Sequence, residues 1–187
     1  MEISGRIFLT GGAEATYSVS KWDEVGLSGK LRTGGRRVFR GINPLNLDAK
    51  GRMAMPMKYR VQLQEICNGQ LVLTVDRDRC LLVYPLPEWE EIERKLVKLP
   101  TLNPQARRLQ RLLIGHATEV ELDGAGRILL PPPLREFADL GKRVTLVGQG
   151  NRFELWDEGM WQARREQWLT EDEDGQPLPA ELESLSL

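Results

Sequence analysis

The 187-residue chain reads as an α+β protein: two tandem copies of one β-rich unit, an α-hairpin between them and a helix after the second. Three observations carry that expectation. LDAKGRMAMP at 47–56 returns as LDGAGRILLP at 122–131. The β-branched and apolar runs LVLTV and VTLVG follow the two copies, and LLVYPLPEW at 81–89 is answered by FELWDEGMW at 153–161. Between the copies, apolar residues change from strand-like alternation to helical spacing.

Repeats set the architecture of a chain. Over 47–60 and 122–135 the aligned pairs Leu47/Leu122, Asp48/Asp123, Gly51/Gly126, Arg52/Arg127, Pro56/Pro131 and Arg60/Arg135 are identical. Average composition would supply about one such match. The offset then drifts from 75 to 72, as indels in loops would cause. Each copy is therefore expected to run strand, glycine turn, strand, proline-started short helix, strand, turn, strand, longer helix.

In the first copy, Asp48-Ala49-Lys50-Gly51 is the turn, with Gly51 supplying a positive φ. Arg52–Met55 is the next strand, and Pro56 suits the start of a short helix through Leu63. Asp123 and Gly126 hold the same turn positions in the second copy. Trp89, Ile92, Leu96 and Leu99 lie at helical spacing before Pro100. Asn103 and Pro104 are an N-cap and first helical position for a helix through Leu113. Asp157 caps a last helix reaching about Leu169. The parts are thus an extension at 1–37, a first repeat at 42–89, a helical connector at 90–117, a second repeat at 118–161, and a helix end with tail at 162–187.

Composition narrows the function. With 41% apolar and 28% charged residues, each unit can bury a core. The net charge of −1 hides a division: residues 171–187 carry acids and no Lys or Arg, which leaves the middle mildly basic. Cys67 and Cys80 make no disulfide framework, and with His116 as the single histidine no metal centre is expected. No membrane span, leader, cofactor or small-molecule substrate is expected, so the chain reads as cytoplasmic. Glu88, Glu90, Glu91 and Glu93 form a solvated helix face rather than an acid–base pair, and the tryptophans belong to core or subunit contacts. Gly34-Gly35 and Gly148-Gln149-Gly150 lack the G-K-[ST] of a phosphate loop. No nucleophile–base set is visible; the chain is not expected to be an enzyme.

VFRGINPLNLDAKGRMAMPMKYR resembles the opening of the MraZ family of bacterial transcriptional regulators. CLLVYPLPEWEEIERKL, RRLQRLLIGHATEVELDGAGRILLPPPLRE and FELWDEGMW are similar to its later blocks in the same order. The resemblance covers Val38 to about Trp168. It implies an AbrB-like swapped-hairpin β fold present twice with pseudo-twofold symmetry, and ring-like homo-oligomers. It further implies binding to short G-rich direct repeats in double-stranded DNA, and repression of the gene's own division and cell-wall cluster on the nucleoid.

The residues allow such a role. Lys50, Arg52, Lys58 and Arg60 are expected to gather around the first turn; Arg forks onto guanine while Lys neutralises phosphate. The second copy has Ala125 for Lys50 and Pro133 for Lys58, so Arg127 is as compatible with a structural as with a DNA-binding role, and the first copy is expected to read. Asp48 and Asp123 are expected to bond their own turns or hold those arginines. The competing function is a ring-forming interaction protein whose basic turns meet an acidic protein partner.

Residues 1–37 lie outside the resemblance. Val38-Phe39-Arg40-Gly41 stands where the family's opening Met-Phe-Arg-Gly would, so Val38 reads as an internal start from GTG. Trp22-Asp23 forces TGGGA in the coding strand. Val25-Gly26 and Ser28-Gly29-Lys30 permit it again at steps of about 10 nucleotides, near one DNA turn. WDEVGLSGK is thereby expected to be the gene's own operator, translated.

Overall fold

The computed structural model describes residues 38–171. The extension at 1–37, with its internal-start and operator readings, and the tail beyond 171 lie outside the described residues. The elements are β1 (Phe39–Asn46), β2 (Arg52–Ala54), α1 (Met57–Cys67), β3 (Gln70–Val75), β4 (Leu81–Pro85), α2 (Leu86–Val97), α3 (Pro104–Leu113), β5 (Thr118–Glu121), β6 (Arg127–Leu129), α4 (Pro132–Phe137), β7 (Arg143–Gly150), β8 (Phe153–Asp157) and α5 (Glu158–Glu171). The order is that of a mixed α+β protein with two like halves.

The strands do not pair copy by copy. A six-stranded antiparallel sheet runs β1-β7-β8-β4-β3-β5, and β2 pairs only with β6 in a two-stranded ribbon. The first strand of each copy thus lies on the third strand of the other. The registers repeat as well: Leu45 faces Val144, and the equivalent pair Val120 faces Leu71. In the ribbon Met53 faces Ile128, and in the sheet Leu82 faces Glu154. Both are pairs of equivalent positions, at offsets of 75 and 72. Exchanging the two copies leaves the pairing unchanged.

Period-two alternation places the layers. Leu71, Leu73, Val75, Leu81, Val83, Val144, Leu146, Phe153 and Leu155 point to one face, where they meet Met53, Met55, Tyr59, Leu63, Ile128, Leu130 and Leu134. Their neighbours Val72, Leu82, Tyr84, Val147 and Trp156 point to the other face, against Trp89, Leu96, Leu109 and Leu113. The sheet is therefore buried on both sides. The ribbon with α1 and α4 covers one face; α2, α3 and α5 cover the other.

Helix ends show where local chemistry governs. Asn103 Oδ1 accepts from the Gln105 and Ala106 amides at 2.8 and 3.3 Å, and Pro104 begins α3. Asp157 Oδ1 accepts from the Gly159 amide at 2.9 Å at the head of α5. α1 continues past Leu63 to Cys67, because Tyr59, Leu63 and Cys67 extend one buried stripe at every fourth residue. It stops at Asn68 (φ 52°) and Gly69 (φ 78°), whose amides return to the Gln64 and Leu63 carbonyls.

Candidate nucleic-acid interface

The two Asp-x-x-Gly-Arg turns are built alike. Asp48 Oδ1 accepts from the amides of Lys50 and Arg52, both at 2.9 Å, and Oδ2 accepts from Arg52 Nε at 2.6 Å. Asp123 Oδ1 accepts from Ala125 and Arg127 at the same 2.9 Å, and Oδ2 from Arg127 Nε at 2.9 Å. Gly51 and Gly126 have φ of 75° and 72°, a region costly to residues with a side chain, and their amides donate back to the carbonyls of Asp48 and Asp123. One carboxylate thus folds its turn and aims its arginine.

The electrostatics follow. Asp48 is held below the usual carboxylate range, first by the Arg52 amide. Asp123 falls to about 2, chiefly through the Arg127 side chain, and Arg127 is raised in return. Exposed ion pairs contribute little stability because water screens them, so their consequence here is orientation.

The ribbon then brings the two turns together. Side chains alternate across a strand, so Met53 and Ile128 form its floor and are fully buried. Arg52, Ala54, Arg127 and Leu129 share the opposite face. Leu129 is 54% exposed there, an apolar side chain directly across from Arg52. Arg52 faces Leu129 and Arg127 faces Ala54, so the arginines are diagonal neighbours with backbones about 7–8 Å apart. Arg127, at the equivalent position in the second copy, thus shares one face with Arg52 of the first. The signal was present in the alternation of RMA and RIL, but only the pairing of β2 with β6 gives it meaning.

The four cations expected around the first turn are not assembled there. Lys50 and Arg52 are. Lys58 Nζ sits 4.6 Å from the Tyr59 ring centroid, beside Gly41 on β1. Arg60 crosses to the second turn and lies against Gly126, while Arg135 of the second copy lies against Gly51. The physical reason is the interleaved pairing, which seats each copy's short helix beside the other copy's turn. An open groove of about 530 Å³ between α1 and 122–126, and one of about 700 Å³ between 47–51 and Arg135, mark these two junctions.

Among the described residues no cluster of three His, Cys, Asp or Glu could hold a metal. Cys67 and Cys80 are buried and free, and burial pushes both thiols up. His116 Nδ1 lies 3.0 Å from the Leu112 carbonyl and its ring packs on Phe137. Among the described residues no helix is long and apolar enough to cross a membrane.

Comparison with known proteins decides the family. A family model described as "MraZ protein, putative antitoxin-like" matches twice, over residues 38–112 and 113–175. The chain belongs to the MraZ family. It is 64% identical over 150 residues to the transcriptional regulator MraZ of Thioalkalivibrio sulfidiphilus, covering 80% of this chain and all of that protein. The proteins of the same name from Halorhodospira halophila and Pseudomonas aeruginosa are 62% and 57% identical, again over 80% of this chain and their whole length. The family is one of transcriptional regulators, not of enzymes.

Proposed function

We propose that this family member is a sequence-specific, DNA-binding transcriptional regulator that reads double-stranded DNA with the outward face of the β2–β6 ribbon. The carrying observation is the pair of aspartate-aimed arginines on that face. A two-stranded ribbon fits the B-DNA major groove, where an Arg fork matches guanine O6 and N7. Two arginines about 7–8 Å apart reach over roughly two base-pair steps of 3.4 Å, which suits a short G-rich element. Leu129, directly across from Arg52, offers an apolar contact. Lys50 and Lys58 supply phosphate contacts on the first copy's side. The ribbon is alike on its two halves in shape and unlike in charge, so it carries a direction, as direct repeats require.

The interleaved pairing supports assignment to the AbrB-like swapped-hairpin fold, with repeats at 42–89 and 118–161. One such head covers too few bases for high specificity; linked heads gain affinity through effective concentration. We therefore assign the acting form to a ring-like homo-oligomer, working on the nucleoid at its own division and cell-wall promoter. Gel-shift with the DNA just upstream of the gene tests this. Binding should fall steeply with salt, and a probe with one G-rich repeat should bind far more weakly than one with three in register. Equal affinity for one and three repeats removes the oligomer. Binding to an acidic protein with no binding to repeat DNA favours the rival interaction protein.

A further inference from the structure

Two arginines outside the reading face make the same unusual crossing. Arg60, in the first turn of α1, donates from Nε to the Met55 carbonyl at 2.6 Å. The Met55 amide in turn donates to the Gly126 carbonyl of the other copy at 2.9 Å. The Arg60 side chain then lies over Gly126 itself, so close that a Cβ built there would collide with its Cδ and Nε. The partner motif repeats every contact. Arg135 Nε donates to the Leu130 carbonyl at 3.2 Å, the Leu130 amide donates to the Gly51 carbonyl at 3.0 Å, and a Cβ on Gly51 would stand 2.7 Å from Arg135 Cζ.

Met55 and Leu130 are fully buried, and each precedes a proline that begins a helix. Their carbonyls lie beyond the ribbon ladder and outside the helix, so a donor must reach them. An arginine five residues on does so. That need alone would explain the hydrogen bond. It does not explain why both guanidiniums go on to cover the central glycine of the opposite copy's turn.

We propose that Arg60 and Arg135 are positioning residues acting across the repeat. Arg60 sets the turn at 123–126 beneath Arg127, and Arg135 sets the turn at 48–51 beneath Arg52. Each glycine is caught between an amide that holds its carbonyl and an arginine that covers its Cα. Each turn of the reading head is thereby fixed by the helix of the other copy. Such pre-organisation lowers the ordering cost on binding. This rests on the DNA-reading assignment above, and it gives Arg60 a role behind the interface in place of a base or phosphate contact.

The full-length chain tests it in two measurements. Hydrogen–deuterium exchange without DNA should show Arg60→Ala loosening the peptide over 123–127 while 48–52 keeps its protection, and Arg135→Ala should do the reverse. Affinity for G-rich repeat DNA should fall about tenfold in Arg60→Ala, and that loss should largely vanish in an Arg127→Ala background but persist in full with Arg52→Ala. The salt slope should stay at the wild-type value, since no phosphate contact is removed. Arg60→Lys should not restore the turn, because an ammonium on a flexible stem cannot both bond Met55 and cover the glycine. If Arg60→Ala folds poorly, Arg60→Met keeps the stem, removes the donor and carries the same exchange readout. Unchanged or uniformly raised exchange, rescue by Lys, or a salt slope reduced by about 1 overturns the proposal. If wild type ignores G-rich DNA, the reading assignment fails alone, and the exchange data still decide the cross-repeat clamp.

Discussion

The two Asp-x-x-Gly-Arg turns keep the residues that fold the turn and aim its arginine, and they lose the lysines that flank it. Asp, Gly, Arg, the strand-ending proline and the crossing arginine recur: Asp48/Asp123, Gly51/Gly126, Arg52/Arg127, Pro56/Pro131, Arg60/Arg135. Lys50 and Lys58 become Ala125 and Pro133. Even the arginines are not held identically. Arg52 meets Asp48 most closely through Nε at 2.6 Å, whereas Arg127 brings Nη2 to 2.8 Å and Nε to 2.9 Å of one Asp123 oxygen. Both guanidiniums stay partly exposed, Arg127 at 36% and Arg52 at 29%. Shape is shared because both turns build one ribbon; charge is free to diverge because solvent accepts either.

The most damaging test of that shared shape is its floor. Ile128→Ala and Met53→Ala should each cost about 2–5 kcal/mol of stability, read by denaturant unfolding, because both side chains are fully buried. As direct cross-strand partners they should be non-additive in the double variant. Strict additivity would mean the two halves are packed independently.

Next in size is the reading contrast. Arg52→Ala should lose about 1–3 kcal/mol of specific DNA affinity with oligomer size unchanged, and Arg127→Ala should lose less, because the second turn has Ala125 and Pro133 where the first has Lys50 and Lys58. Titrations on operator and scrambled DNA measure both. If Arg127→Ala is the worse variant, the second turn is the principal reader.

Charge should show a smaller and sequence-independent effect. Lys50→Ala should lower the slope of log affinity against log salt by about 1, and Ala125→Lys should raise it by about the same amount. A slope indifferent to both substitutions places neither turn's second position near phosphate.

The smallest signal is titration of the turn carboxylates. Both are depressed in the folded protein, Asp123 to about 2. A depressed carboxylate contributes in full above the unfolded value of about 3.9 and loses that contribution as pH falls through the folded value. The turns should therefore be unaffected near neutrality and loosen only below about pH 4, Asp48 and Asp123 alike. Carboxyl chemical shifts followed with pH check this; an ordinary Asp titration at either site would detach that aspartate from its arginine.

Much of this molecule is local enough to be legible in one dimension. The repeat announces two like halves, because an Asp that bonds amides two and four residues on and a Gly at positive φ are short-range requirements. Asn103-Pro104 begins a helix wherever it is placed, since the cap satisfies amides of its own first turn. The family was legible for the same reason: its motifs are contiguous. What tertiary structure alone decided is which copy each element serves. Strand pairing depends on contacts between residues far apart in sequence, such as Leu71 with Val120, 49 positions on, and Asn43 with Leu146, 103 positions on, and nothing in a strand's own alternation says which partner lies beside it. That choice put Arg127 on the same face as Arg52 and moved Arg60 and Arg135 to each other's turns. A charge counted with its neighbours in sequence belongs, in the folded chain, to whichever surface the pairing carries it to.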